Sequence, residues 1–524
     1  MSADIKSQQV KMEKIVSLCK RRGFIFQSSE VYGGLNGCWD YGPMGVELKR
    51  NLKDYWWQRM TRERDDVVGL DGSILMNRRV WQASGHEGTF SDPMVDCLVS
   101  KQRFRADQVE PQSGTLYRFT GASSPETGWK VEKPFAVLLH AGKHPDSARK
   151  VARQFYAQGS ADEKAPSLQL EGETTEAVEH STAYNPENGS QLTEPRSFNL
   201  MFKTFVGATE NEDATTYLRP ETAQSIFVQF KNVLETSRKK LPFGIAQIGK
   251  AFRNEINPRN FTFRSREFEQ MELEYFCHPD KGLELLEYWL EERLKFYEAI
   301  GLSRDKLHVL DVPEAERSHY SGGTYDIEYD FPFGRQELEG VAYRTNYDLT
   351  CHQEKSGKSF EYFDDDSREK YIPHVVEPSA GVDRTVLAIL CEAYDEESVT
   401  DEKGKTDTRT IFHFAPRMAP VKCGVFPLMK NNAQIVEQTR SIVEGLRPHM
   451  VVQYDESGAI GRRYRRQDEI GTPYCITVDF DTIGENAPEN KGTVTLRHRD
   501  SMQQERIPIE GLVERMRHLV TVDR

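Results

Sequence analysis

Residues 251–276 read AFRNEINPRNFTFRSREFEQMELEYF. Two alternating segments flank a turn at 257–260 (NPRN), the pattern of an antiparallel hairpin. Solvated hairpins usually mix their charges with lysine and threonine; this one uses arginine, glutamate and aromatics. Period-two geometry puts Arg264, Arg266, Phe268, Gln270, Glu272 and Glu274 on one face of the second strand, and Arg253 with Glu255 on one face of the first. Guanidinium groups hold phosphate, an aromatic ring between them suits a nucleobase, and carboxylates further along suit an ammonium. Read alone, the segment fits either such a site or a charge-laced exposed hairpin.

A chain of 524 residues is too long for one hydrophobic core, and at roughly 100–200 residues per domain it predicts about three. Charged residues make up 29% and hydrophobic ones 37%, with no run near the roughly 18 apolar residues that a membrane span needs. The opening MSADIKSQQVKMEKIV has no apolar signal region, so a cytoplasmic protein is expected. None of the eight cysteines is spaced CxxC, which reads as reduced thiols. A formal charge of −13 argues against a general nucleic-acid coat and leaves room for local basic patches.

Residues 43–60 (PMGVELKRNLKDYWWQRM) start on a proline and repeat Met44, Leu48, Leu52 and Tyr55/Trp56 at helical spacing. That stripe must be covered by the chain's own sheet or by a second subunit. Residues 106–195 are rich in Ser, Glu, Gly and Pro and weakly periodic apart from a helix at 145–158; they read as a partly loop-like insertion. A strand-like run follows at 198–207, then a helix carrying Ile226, Phe227, Phe230 and Leu234, another helix at 281–300, and alternating stretches at 324–333 and 337–349. Strands outnumber helices between 198 and 380, which predicts a mostly antiparallel sheet with helices packed on it. EPSAGVDR (377–384) opens a helix, the acidic stretch 395–410 reads as a linker, and strands then alternate with helices as in a small α/β domain.

FRNE (252–255), RSREFEQMELEYF (264–276) and EPSAGVDRTVLAIL (377–390) resemble motifs 2 and 3 of class II aminoacyl-tRNA synthetases. Residues 33–57 (GGLNGCWDYGPMGVELKRNLKDYWW), 218–224 (LRPETAQ) and 458–484 (GAIGRRYRRQDEIGTPYCITVDFDTIG) are similar to the homodimeric glycyl-tRNA synthetases. The resemblance covers residues 12–105 and 196–524. It implies an α+β class II catalytic core, an antiparallel sheet flanked by helices, at 1–105 and 196–395. It also implies an insertion at 106–195, a linker at 396–416 and an α/β anticodon-binding domain at 417–524. The implied reaction joins glycine to ATP as glycyl-adenylate, with Mg2+, and then transfers glycine to tRNA(Gly).

By the same resemblance, Arg253 and Arg384 are the catalytic arginines. Arg253 would hold the α-phosphate, Glu255 would read the adenine amino group, and Phe268 would stack beneath adenine with Arg384 over its other face. Arg264 would reach the terminal phosphates and Glu337 would take the magnesium. Asn254, Phe263, Ser265, Arg266, Glu267, Leu338, Gly381, Val382 and Asp383 complete the implied ATP site. Glu221, Glu272 and Glu377 would crowd the glycine ammonium, while Arg344, Ser379 and Arg105 fix the rest. Phe268, Glu269, Gln270, Met271, Pro378, Ala380 and Gly381 complete that set. Three carboxylates around one small cation leave no room for a side chain, so no editing site is expected.

RRYRRQDE (462–469) alone reads as a solvated face; in an anticodon-binding domain, Arg462, Arg463, Arg465 and Arg466 are expected on tRNA. Relatives carry two cysteine pairs around the insertion that look like a zinc knuckle. Here Cys97 remains while Ser100, Asn185 and Asn188 take the other places, so no zinc is expected. The stripe with Trp56 and Trp57 is expected to be partly a dimer interface. Two other readings are a non-catalytic synthetase-like tRNA binder, which should have lost the arginines of chemistry, and a class II enzyme for proline, serine or threonine, whose pockets are not built from the three glutamates together.

Overall fold

In the computed structural model, residues 3–159, 167–400, 404 and 406–521 are described. Parts of the expected insertion (160–166), linker (401–403 and 405) and C-terminal domain (522–524) lie outside them. The chain forms two compact units: a larger one of Met1–Ser84, Phe202–Arg253 and Pro258–Arg524, and a smaller one of Gly85–Met201 with Asn254–Asn257.

Seven strands make the central sheet of the larger unit: β1 (Val67–Gly69), β2 (Phe243–Phe252), β3 (Glu267–Cys277), β4 (Leu307–Asp311), β5 (Gly323–Phe331), β6 (Gly334–Thr345) and β7 (His374–Gly381). Their order is β4-β5-β6-β7-β3-β2-β1, antiparallel except for the β2–β1 pair. The expected hairpin is β2–β3, in register from Phe243↔Phe276 to Phe252↔Glu267. Alternation along β3 sends Met271, Leu273 and Tyr275 into one core, which also holds Leu48, Leu52, Trp56, Val386 and Leu390. Phe276 faces the opposite way, into a second core with Ile226, Phe227, Phe230 and Leu349. Each buried Leu or Phe contributes roughly 1.5–3 kcal/mol. Glu272 and Glu274 share the face of Phe276, so the second face combines an apolar floor with buried carboxylates.

The helices on these faces are α1 (Ala3–Arg22), α2 (Pro43–Trp57), α3 (Ala223–Ser237), α4 (Gly282–Ala299), α5 (Tyr347–Ser356) and α6 (Val382–Ala393). Helix α2 starts on Pro43 after an extended Gly42, as its sequence predicts. Its Gly45 crosses so close to Phe24 that a Cβ would lie 1.8 Å from that carbonyl oxygen. Much of the α2 stripe is covered by the chain itself: Leu48, Leu52 and Trp56 are buried, and the Trp57 ring lies against Gly69. The interface expectation is corrected for Leu48, Leu52 and Trp56, while Met44, Tyr55 and Trp57 are only partly buried.

The C-terminal part has its own core of Val425, Ile435, Ile476, Val478, Leu496 and Met516. Its five strands β8 (Cys423–Pro427), β9 (Val452–Tyr454), β10 (Tyr474–Val478), β11 (Thr493–His498) and β12 (Gln504–Pro508) run in the order β9-β8-β10-β11-β12. Helices α7 (Ala433–Leu446), α8 (Ile460–Glu469) and α9 (Leu512–Thr521) accompany them. Asn432 caps α7 by accepting from the Gln434 and Ile435 amides at 3.0 and 3.2 Å. Where a linker is expected, Tyr394–Thr400 and Thr406–Phe412 pair as a hairpin. Its acidic, polar composition hides the alternation, and Arg409, Ile411 and Phe412 are its buried anchors.

In the smaller unit, Gln112–Ser123, Lys130–Leu139, Gln169–Glu171 and Thr174–Ser181 form a four-stranded sheet, and the expected helix is Asp146–Ala157. Phe135 and Phe155 stack with centroids 4.0 Å apart. The partly loop-like reading of 106–195 is therefore corrected: outward Arg118 and Thr120 dilute the apolar period of Leu116, Phe119 and Ala122. The run at 198–207 is also broken, with Arg196–Asn199 pairing Ser91–Asp96 and Lys203–Phe205 pairing Thr215–Tyr217.

Candidate active site

The buried carboxylates of β3 and β7 meet side chains from α3, α5 and β6 beside a cavity of about 300 Å³. Glu272 is 2% exposed, and its two oxygens are held separately. Oε2 accepts from the Thr222 amide at 3.0 Å and from its hydroxyl; Oε1 accepts from Gln270 Nε2 at 2.9 Å and Ser379 Oγ at 2.7 Å. Antiparallel register sets Ser379 directly opposite Glu272. Glu377 accepts from Arg344 Nη1 at 2.9 Å, while Asp348 holds the rest of that guanidinium at 2.8 and 2.9 Å. The Tyr320 ring lies 4.0 Å from the same guanidinium. Glu221 lines the cavity and accepts from Gln224 Nε2 at 2.9 Å.

Negative charge is in excess here, and the protonation equilibria reflect it. Burial pushes Glu377 up to about 7, with Glu272 and Glu221 adding to the rise and Arg344 opposing it. Burial and then Glu221 raise Glu272, against the Thr222 and Ser379 hydrogen bonds. Glu274 is fully buried with neither carboxylate oxygen hydrogen-bonded, and burial, reinforced by Glu377, holds it far above the ordinary glutamate range. Buried carboxylates whose protons are held this tightly favour a cationic group beside them.

Along the same face, Arg253 lies with its guanidinium 5.4 Å from the Phe268 ring and donates from Nε to the Pro220 carbonyl at 3.1 Å. Arg384 opens α6, lies 4.5 Å over the Phe263 ring and pairs with Glu337 at 3.3 Å. Asp326 shares the cavity with Glu337; burial, then Glu337 and Glu328, push it up to about 6. Two carboxylates lining one cavity fit a divalent cation carried in with a nucleotide. Arg219 braces this edge, donating to the Lys250 and Gly72 carbonyls at 2.6 and 2.7 Å. A Cβ on Gly249 would sit 2.2 Å from that guanidinium, so any side chain there would displace Arg219.

Other residues in the expected set stand elsewhere. Met271, Leu338, Ala380 and Val382 send their side chains into the main core, because alternation and the helix start face them away from the cavity. Glu269 pairs with Lys49 and Lys53 at 2.7 and 2.9 Å, and Asp383 takes Lys49 at 2.8 Å and the Tyr41 hydroxyl at 2.6 Å. Glu269 ties α2 to β3, and Asp383 ties it to α6. Arg266 donates to the Asn36 carbonyl at 2.6 Å, Glu267 pairs with Lys250, and Ser265 is buried against Thr262. Pro378 is buried in β7, and Gly381 caps α6. Arg264 follows the turn of 3-10 helix at Phe261–Phe263. Arg105, Asn254 and Glu255 belong to the smaller unit, where Arg105 pairs with Asp92 at 3.0 Å and Asp107 at 2.7 Å. Sequence reasoning missed Thr222, Asp348, Tyr320 and Asp326; the only signal available for Asp348 was its position four residues after Arg344.

Of the C-terminal arginines, Arg463 is only 3% exposed and donates to the Pro427, Glu456 and Gly458 carbonyls. It is a lock inside the domain, which corrects its expected contact with tRNA. Arg466 pairs with Asp455, and Arg465 lies 3.8 Å from Asp407; Arg462 is exposed. In the smaller unit, Cys97 Sγ accepts from the Ser100 amide at 3.4 Å and from Asn188 Nδ2 at 3.7 Å. Burial would raise this thiol, but the hydrogen bonds from Ser100 and Asn185 outweigh it and bring it down to about 7. The group offers one thiolate, where tetrahedral zinc takes four good ligands.

Residues 202–393 match the family described as tRNA synthetase class II core domain (G, H, P, S and T), and residues 422–519 match the anticodon binding domain family. The glycine–tRNA ligase of Treponema denticola is 46% identical over 98% of this chain and 98% of its own length. That of Rhodopirellula baltica is 46% identical over 96% of this chain and 98% of its own. The Clostridium perfringens protein of the same name is 48% identical over 96% and 97%. With that identity along nearly its whole length, and with the class II core and the anticodon-binding domain both matched, the chain belongs to the glycine–tRNA ligase family.

Proposed function

We propose that this chain is the ligase that charges tRNA(Gly) with glycine. A glycine carboxylate oxygen attacks the α-phosphorus of ATP, the bond to the bridging oxygen breaks, and pyrophosphate leaves. The 3′-terminal hydroxyl of tRNA then attacks the carbonyl of glycyl-adenylate, and AMP leaves. The observation that carries the reading is the cavity where Glu221, Glu272 and Glu377 converge, with Glu377 paired to Arg344. A glycine ammonium fits among these carboxylates, and a pocket closed at the Cα hydrogens rejects larger amino acids by steric overlap.

Arg253 stabilises the charge that grows on the α-phosphate, with Phe268 beneath the adenine and Arg384 on its other face. Because in-line displacement needs little beyond position and charge, fixed guanidinium groups suffice. Magnesium, when bound with ATP, offsets phosphate charge, and Glu337 with Asp326 would hold it. Arg264 reaches the terminal phosphates. Arg462, Arg465 and Arg466 contact tRNA once their local ion pairs open. The protein works in the cytoplasm as a homodimer; a dimer is supported by Val31, Tyr32, Leu35 and Val46, large apolar side chains left 40–91% exposed around the start of α2. The reading is tested by aminoacylation of tRNA(Gly) with labelled glycine: charging is expected, and its absence with folded, tRNA-binding protein would move the assignment to a non-catalytic relative.

A further inference from the structure

A second concavity of the larger unit takes no part in the site above. It lies among the short helix Arg78–Ala83, α3 and α5 and measures about 340 Å³, within the range of small-molecule pockets. Its apolar lining comes from Val80, Ala83, Val228 and Phe360. Its charged lining is wholly cationic: Arg79, Lys231, Lys355 and Lys358, with no carboxylate, in a chain of net charge −13. The Lys355 and Lys358 ammonium groups meet no carboxylate among the described residues. Lys231 donates to the Glu361 carbonyl, and burial lowers its proton affinity. Arg79 donates to the Lys355 carbonyl at 2.6 Å.

The inner wall is His352, 4% exposed and held neutral by burial. Gln224 Nε2 donates to Glu221 at 2.9 Å and to Asp348 at 3.2 Å, so Gln224 Oε1 must accept from His352 Nε2, at 2.8 Å. Asp348 in turn holds Arg344. The groove is thus joined to the carboxylate cavity by two successive side-chain hydrogen bonds.

We propose that this groove binds a small organic anion with a flat apolar body, its ring on Phe360 and Val228 and its anionic group at Lys355 and Lys358, and that occupancy alters glycine affinity through His352 and Gln224. The binding half stands on the groove alone; the coupling half rests on Glu221 as a glycine ligand. The probe is 4-fluorobenzoate, followed by fluorine NMR on the full chain, with 4-fluorobenzamide as its uncharged match. Saturable one-to-one binding of the acid is expected, at least tenfold weaker for the amide and for the Lys355→Glu/Lys358→Glu variant, and abolished by Val228→Trp. Absence of saturable binding, equal binding of the amide, or binding indifferent to the rim charge would overturn the site. The acid–amide comparison needs no variant, so it decides the matter if Val228→Trp fails to fold.

For the coupling, saturating 4-fluorobenzoate should change KM for glycine at least threefold in ATP–pyrophosphate exchange, with KM for ATP unchanged. His352→Phe should bind the probe and lose the change. A bound probe that leaves both constants alone overturns the coupling. Absence of any glycine-dependent exchange, with probe binding intact, would instead overturn the reading of the glycine site.

Discussion

Two regions of this molecule bury charge in opposite ways. In the C-terminal part, Asp468 is enclosed by Arg409 at 2.9 Å and by Arg497 at 2.9 and 3.1 Å, and Arg499 donates to the Gly471 and Phe414 carbonyls at 2.8 Å each. Each of these buried groups has its partner. Around Arg344, Glu272, Glu274, Glu377 and Asp348 surround one guanidinium, Glu274 has no hydrogen bond, and Glu377 is pushed up to about 7. Closed networks hold a fold together, whereas one that keeps a buried carboxyl without a hydrogen bond and its glutamates raised is prepared for a ligand.

The largest expected effect breaks the closed region. Asp468→Ala leaves Arg409 and Arg497 buried without their carboxylate and should cost about 3–5 kcal/mol in denaturant unfolding. Arg253→Ala should lower adenylate formation about 10²–10³-fold with an unchanged melting temperature, measured by exchange kinetics and calorimetry.

Glu274→Gln sharpens the contrast. A carboxyl raised by folding costs nothing below the unfolded value of about 4.3 and destabilises increasingly as pH rises towards its folded value. The amide carries no such dependence, so the variant should melt at the wild-type temperature near pH 4 and gain about 1–3 kcal/mol by pH 8. The smallest effect is on affinity. Glu377, raised to about 7, is protonated below that pH and cannot face an ammonium, so KM for glycine should fall several-fold, up to about tenfold, between pH 6 and 8.

The same contrast explains what the sequence could tell. Along β3, the alternation of Met271, Leu273 and Tyr275 with Gln270, Glu272 and Glu274 is local, so the strand and its two faces were legible. Which glutamates converge was not, because Glu221, Glu272 and Glu377 come from separate elements brought together by register. The resemblance to the family supplied that grouping. It could not show that Glu269 and Asp383 turn towards Lys49, or that Arg463 lies inside its domain, since helix and strand phase decide those orientations. Nor did composition reveal the strands of the smaller unit, where polar outward residues mask a short apolar period.

The central claim is that the carboxylate cavity awaits a glycine ammonium. Amino-acid-dependent ATP–pyrophosphate exchange without tRNA tests it most directly, with glycine, alanine and serine compared side by side. The account predicts rapid exchange with glycine and at least about a hundredfold less with the other two. Exchange with alanine as fast as with glycine, or none with any of the three from folded protein, would contradict it.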